Sequence, residues 1–219
     1  MHQNSKLIFE NYAKKYFQPG MRVLEIGPDG IPSSYQRVFS KDSIKCWKDS
    51  IQWDTLDLYE NPKLTYTARE EYSFPIADAI YDIALSGNVL EHVRKPWIWI
   101  KEVTRICRKG GLVITIAPVS WPYHEAPVDC WRAYPEGMKA LYEEAGLDVI
   151  ESTFDSLEVP NYRRYIPGMS PEWQGWKRRI TNQLLGKLGF PVERAYDVIT
   201  IGKKTQNCAF QEMTTVSTG

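Results

Sequence analysis

Two stretches of this 219-residue chain carry side chains whose types and spacing suit chemistry. In Val23-Leu24-Glu25-Ile26-Gly27-Pro28-Asp29-Gly30, four residues fit for a buried strand run into a Gly-x-x-Gly turn, with Glu25 near the strand's end. Glycines at a strand end let a backbone approach a ligand with no side chain in the way. The same spacing serves a purely structural turn, and the motif alone leaves both readings open. The second stretch, 121–132, gathers Tyr123, His124, Asp129, Trp131 and Arg132. Imidazole exchanges protons near neutral pH, so His124 and His92 are candidate bases, while the third histidine, His2, lies at the very start of the chain.

Periodicity supplies the elements that must position these residues. Leu7, Ile8, Tyr12, Tyr16 and Phe17 recur at helical spacing over 5–17, and Pro19-Gly20 ends that helix. Segments 22–26, 51–58, 82–86, 112–117, 149–154 and 197–202 read as strands, with β-branched content strongest at 112–117. Helices are expected over 33–39, 96–107 and 136–145; Ile98, Ile100, Val103, Ile106 and Cys107 make the apolar stripe of the second, and Lys109-Gly110-Gly111 stops it. Strands alternating with helices imply a mostly parallel sheet with right-handed crossovers. Ligands bind such sheets outside the carboxyl ends of the strands, near the point where strand order reverses. That rule brings 25–30, Asp57, 86–92 and 118–132 around one crevice.

Bulk composition narrows the classes. Lys plus Arg and Asp plus Glu each number 27, a formal net charge of zero, which argues against a polyanion binder. Cys46, Cys107, Cys130 and Cys208 are far apart, without the spacing of a zinc site, so no metal is expected and reduced thiols in a cytoplasmic protein are the economical reading. Residues 1–17 lack the pattern of a signal peptide, and the apolar run 112–119 is too short to span a membrane.

The order of motifs resembles a known family. Val23 to Gly30, Asp57, Phe74-Pro75-Ile76-Ala77-Asp78-Ala79-Ile80-Tyr81-Asp82, Asn88-Val89-Leu90-Glu91-His92-Val93, then Glu102-Val103-Thr104-Arg105 with Lys109-Gly110-Gly111-Leu112, is similar to class I S-adenosylmethionine-dependent methyltransferases of the methyltransferase type 11 kind. The resemblance covers roughly 20–150. It implies an α/β fold: a Rossmann-like, doubly wound, mostly parallel seven-stranded sheet with an antiparallel last strand. One domain would occupy 1–204, with an N-terminal helix in 1–19, an insertion at 155–194 between the last two strands, and a disordered tail from 205 to 219.

The resemblance also implies roles. The cofactor would be S-adenosyl-L-methionine. Gly27, Pro28 and Gly30 would face its amino-acid part, and Glu25 its ammonium, unless Glu25 instead caps nearby backbone amides. Asp57 would hold the ribose hydroxyls, with Asp54 a rival because the strand register is open. Glu70 fits the adenine-facing acid better than its neighbour Glu71, and Asn88 and Val89 would flank the methionine or adenosine portion. The 121–132 loop resembles a segment of methyltransferases linked to sugar and cell-surface metabolism. His124 would be the base, with Asp129 orienting it or binding substrate, or His124, Asp129 and Arg132 would only pin the loop. His92 would pack near the cofactor or serve as base, and Tyr123, Trp131 and Arg132 would meet substrate. Two departures stand out: Pro28-Asp29 displaces the second glycine of the usual turn, and the gap from Gly30 to Asp57, holding Cys46 and Trp47, is long.

The 155–194 insertion interleaves Tyr162-Arg163-Arg164-Tyr165, Trp173, Trp176 and Lys177-Arg178-Arg179. Such a mixture can bind nucleic acid, but its place between the last two strands suits a lid, and a helix over 173–188 would suit a dimer surface. The reading is a methyltransferase acting on a small polar acceptor, first a hydroxyl of a sugar, glycan or secondary metabolite. An N-methyltransferase of a small amine and a non-catalytic cofactor-binding partner subunit are the alternatives. A nicotinamide-dependent dehydrogenase would want Gly-x-Gly-x-x-Gly, which Gly27-Pro28-Asp29-Gly30-Ile31-Pro32 does not provide.

Overall fold

Strands buried on both faces need continuous apolar runs, and this chain's Val, Ile and Leu runs build a seven-stranded sheet. The structure is a computed structural model describing residues 3–41, 50–124, 128–157, 163–166, 169–173, 180, 184–185, 187–188 and 195–205. In chain order the strands are β1 (Arg22–Ile26), β2 (Gln52–Asp57), β3 (Tyr66–Thr67), β4 (Tyr81–Gly87), β5 (Cys107–Ser120), β6 (Leu147–Asp155), β7 (Arg163–Ile166), β8 (Met169–Trp173) and β9 (Tyr196–Lys204). The main sheet runs β3-β2-β1-β4-β5-β9-β6, and β7 pairs with β8 separately. Strand pairs from β3 to β5 are parallel, while β9 is antiparallel to both β5 and β6. This is the doubly wound sheet with an antiparallel last strand that the motifs imply. Strand order reverses at β1, whose neighbours are β2 and β4.

Side chains alternate across β1: Leu24 and Ile26 join one buried cluster and Val23 the other. On the first face lie α3 (Pro96–Ile106) and α4 (Pro135–Glu144), contributing Trp99, Ile100, Val103, Met138 and Tyr142. On the second, Phe9, Phe17, Tyr35, Val38 and Phe39 come from the N-terminal helix and the α2 region (α2 is Gln36–Lys41). Full burial of each such side chain contributes about 2–3 kcal/mol relative to exposure.

The expected strands coincide with β1, β2, β4, β5, β6 and β9; β3, only Tyr66–Thr67, is too short to leave a periodic signal. Three boundaries differ. The expected 5–17 helix begins at Gln3 and changes pitch, with α1 (Gln3–Ile8), a π-helical turn Phe9–Ala13 and a 3-10 turn Lys14–Tyr16. α2 starts at Gln36, after the expected 33, because Ser33 Oγ accepts the Gln36 amide at 3.0 Å and so ends a turn there. β5 starts directly at Cys107, taking in Gly110-Gly111 beside a register shift against β4. A Cβ on Gly111 would lie 2.9 Å from the Asp82 carbonyl, so the close strand approach needs glycine. Trp173 ends β8 rather than opening a helix. Most of the expected 173–188 helix, Cys46, Trp47 and the tail beyond 205 lie outside the described residues. No helix among the described residues is long and apolar enough to cross a membrane.

Candidate functional site

β1 ends in a turn that only glycine fits. Gly27 has φ +68°, its amide donates to the Leu56 carbonyl at 2.9 Å, and a Cβ there would meet Val89 Cγ2 at 2.4 Å. Beyond it, at the carboxyl ends of β1, β2 and β4, lies a cavity of 440 Å³. Its apolar wall includes Ile26, Leu56, Leu58, Phe74, Val89 and Trp99, and its polar edge includes Asp57, Glu71, Asn88, His92 and Arg94. This is the switch point at which open parallel sheets bind ligands.

The register separates the two acids of β2. Asp57 ends the strand and lines the cavity, while Asp54 pairs with Leu24 farther back and accepts from Arg22 Nη2 at 3.3 Å and Tyr81 Oη at 2.9 Å. Glu71 lines the cavity and accepts the Arg94 amide at 3.0 Å; Glu70 is exposed and outside it. Asn88, at φ +57°, follows β4, donates its amide to Ile116 and accepts Ser5 Oγ at 2.9 Å.

Glu25, Pro28 and Gly30 do not line this cavity. Glu25 is buried, and its Oε2 accepts from Ser33 Oγ at 2.5 Å and Trp53 Nε1 at 2.8 Å. Burial pushes its carboxyl up to about 7 against the pull of those donors. The Pro28-Asp29 insertion is tied down locally, as Asp29 accepts both the amide and the hydroxyl of Ser34, at 2.7 and 2.6 Å.

The loop after β5 brings the second group. His124 donates its amide to Asp129 Oδ2 at 3.0 Å, and its Nδ1 lies 3.2 Å from the Pro122 carbonyl. Arg132 grips Asp129 with both Nη atoms, Nη2 to Oδ2 at 2.6 Å, and also donates to the Trp121 and Pro122 carbonyls. Burial alone would raise the Asp129 carboxyl, but the Arg132 and His124 hydrogen bonds outweigh it and hold it below the usual value. His92 Nδ1 contacts the Val128 carbonyl, and burial lowers its imidazole pKa. The His92 and His124 rings meet edge to face, 5.1 Å between centroids. Tyr123, Trp131 and Arg132 line a shallow recess of 270 Å³ beside Asp129 and Cys130, and Trp131 Nε1 donates to the Val93 carbonyl at 2.8 Å. Glu125, Ala126 and Pro127 lie outside the described residues.

Some residues at the site have no role assigned from the sequence. Glu91 is buried, burial pushes its carboxyl up to about 8, and its backbone carbonyl accepts the Cys130 amide at 2.7 Å. Asn4 and Ser5 are buried beneath the site: Asn4 Nδ2 donates to Asp197 Oδ2 at 2.6 Å, and Ser5 reaches Asn88. Polar residues on an otherwise apolar helix face were the available hint.

Residues 38–115 match a family model described as a methyltransferase domain. An uncharacterised methyltransferase of Mycobacteroides abscessus is 44% identical over 55 residues, covering 25% of this chain and 21% of that protein. A SAM-dependent methyltransferase from Archaeoglobus fulgidus superposes with a TM-score of 0.57 at 15% identity, over 90% of this chain and 92% of that one. Residues 38–115 are thus similar to a methyltransferase domain, and the fold is the one that S-adenosylmethionine-dependent methyltransferases have. Haemonchus contortus phosphoethanolamine N-methyltransferase 2, solved with phosphomonomethylethanolamine and S-adenosylhomocysteine, shares the fold with a TM-score of 0.56 at 11% identity, covering 93% of this chain and 53% of that one. The chain spans about a fifth to two-fifths of the length of the curated relatives it matches. The stretch that the family model matches holds Asp57, Glu71, Asn88, Val89, Glu91 and His92, while His124, Asp129 and Arg132 lie beyond it.

Proposed function

We propose that the protein transfers a methyl group from S-adenosyl-L-methionine to a hydroxyl of a small polar acceptor, such as a sugar, glycan or secondary metabolite. The observation that carries this reading is the 440 Å³ cavity at the ends of β1, β2 and β4, which joins Gly27, Asp57 and Asn88 in one pocket. The donor set fits the cofactor. Asp57 presents two acceptor oxygens to the paired ribose hydroxyls, the apolar wall takes the adenine, and Glu71 rather than Glu70 stands on the cavity to meet its amino group. The bare surface at Gly27, with Asn88 and Val89 opposite, receives the amino-acid end.

When bound, the cofactor supplies an electrophilic sulfonium methyl. The chain's residues then position the acceptor for in-line attack, which is where most of the rate enhancement of such a displacement arises. The groups placed to manage the acceptor's proton are His92 and His124. In each, Nδ1 faces a carbonyl, and in His124 also the Asp129 carboxylate at 3.3 Å, so Nδ1 carries the hydrogen and Nε2 keeps the lone pair. Arg132 fixes Asp129, and Tyr123 and Trp131 provide an aromatic wall for the acceptor.

An amine acceptor is the second reading, supported by the shared fold of the Haemonchus N-methyltransferase. Incubating the protein with methyl-labelled cofactor and a metabolite extract, then identifying the labelled product by mass, separates the two. A methyl ether is expected, a methylamine would select the second reading, and cofactor binding without any transfer would leave a partner subunit. Calorimetry should show Asp57→Ala weakening cofactor binding at least about tenfold, the cost of a lost charged hydrogen bond. Unchanged affinity would overturn the pocket assignment.

A further inference from the structure

The 3-10 turn Leu90–His92 after β4 and the loop after β5 converge on a second feature. One ligand atom each from Glu91, His92 and His124 lies within 4.8 Å of the other two. Glu91 is 1% exposed, and its Oε2 has no hydrogen-bond partner among the described residues, an arrangement that costs free energy unless something binds that oxygen. His92 does not satisfy the carboxylate, because its Nε2 stands 3.8 Å from Glu91 Oε1, beyond hydrogen-bond reach. Both imidazoles already have their outer nitrogen engaged: His92 Nδ1 by the Val128 carbonyl, His124 Nδ1 by the Pro122 carbonyl at 3.2 Å and Asp129 Oδ2 at 3.3 Å. Metal-binding histidines are oriented in this way, with the outer N–H given to a carbonyl or carboxylate and the other lone pair left for the ion. Arg132, clasping Asp129, stiffens that outer support.

We propose that Glu91, His92 and His124 bind one divalent first-row transition-metal cation. Two imidazole nitrogens and one carboxylate oxygen favour such a cation over magnesium or calcium. Three protein ligands leave coordination positions open, the pattern of catalytic rather than structural metal sites. His92 also lines the cavity, so a cation held there would lie beside the place where the acceptor would sit. The consequence for catalysis rests on the methyl-transfer reading; the binding of the cation does not. A hydroxyl bound to the cation loses its proton to solvent water more readily. Its oxygen lone pair then forms the bond to the methyl carbon, and the electrons of the breaking carbon–sulfur bond leave with sulfur. In that arrangement His92 and His124 hold the cation instead of taking the proton themselves.

The test uses the full chain after chelator treatment, titrated with Co²⁺ by visible absorption and with Zn²⁺ by calorimetry. One equivalent per chain with the d–d bands of nitrogen and oxygen ligation is expected. Glu91→Gln, nearly isosteric, and His124→Asn, on the loop, should each weaken Co²⁺ binding at least about tenfold. Circular dichroism confirms that each variant folds. Cys130→Ser controls for the exposed neighbouring thiol and should bind Co²⁺ as the wild type does. The absence of saturable binding, affinity indifferent to both ligand variants, or a thiolate charge-transfer band lost in Cys130→Ser would each overturn the site. S-adenosylmethionine affinity is measured separately, so a failed cofactor pocket with intact Co²⁺ binding would sink the methyl-transfer reading and leave this one standing.

Discussion

At Glu25 the residue type and its environment pull against each other. Its burial favours the neutral carboxyl, so the folded value stands near 7 while the unfolded chain keeps the ordinary 4.5. Between those values the native state holds more protons than the unfolded state, so stability falls as pH rises from 4.5 to 7 and levels off above. At 1.36 kcal/mol per unit the whole effect is at most about 3 kcal/mol. Glu25→Gln removes the titration. The expected result is a variant that gains stability relative to wild type across that window, read from urea unfolding at a series of pH values. A difference independent of pH would show that Glu25 titrates alike in both states. At this scale the sequence was readable where register decided the answer and opaque where direction did. Asp57, with Asp54 its rival, and Gly27 follow from strand ends and the motif order, and Asp57 and Gly27 both line the cavity. Spacing could not say that Glu71, not Glu70, turns inward, or that Glu25 turns toward Ser33 and Trp53. Glu91 sat inside a recognised motif with no role, because burial of a carboxylate leaves no mark on an apolar pattern.

The elements that frame the site are joined by buried polar bonds as well as by apolar packing. α1 reaches over the carboxyl end of the sheet, where Asn4 donates to Asp197 on β9 at 2.6 Å and to the Asp155 carbonyl on β6 at 3.1 Å, and accepts the Leu157 amide at 2.7 Å. Ser5, its neighbour, holds Asn88 at the cavity edge. The N-terminal helix is therefore a support for the β4 turn as well as a cover for the core. Asn4→Ala removes at least these three bonds at a buried position and leaves partners short of water. A loss of about 2–3 kcal/mol is expected, larger than for an exposed helix residue. Thermal unfolding measures it, and a change under about 0.5 kcal/mol, the range of an ordinary surface substitution, would show that these bonds are replaced. The long strands and α3 were legible because their apolar periods are strong. The pitch changes within 3–16 and the two-residue β3 were not, since packing against neighbours decides them.

Across the whole molecule, the cavity draws its walls from β1, β2, β4 and the segments that follow them, so ligand binding should stabilise the fold and not only the loops. A ligand that binds the native state alone adds RT ln(1 + [L]/Kd), about 2.7 kcal/mol at one hundred times Kd. For a chain of this size each kcal/mol moves the melting midpoint by about 2–4 °C. S-adenosylmethionine at that excess should therefore raise the midpoint by roughly 5–11 °C, and S-adenosylhomocysteine, which keeps the ribose, adenine and amino-acid contacts, should do nearly as well. Asp57→Ala should lose most of the shift at the same concentration, because its affinity is lower. Glu70→Ala should keep it in full, since Glu70 is exposed and outside the cavity. A shift lost equally in both variants would mean that Glu70, the acid expected from spacing, meets the adenine, with the 70–71 turn rearranged around the ligand.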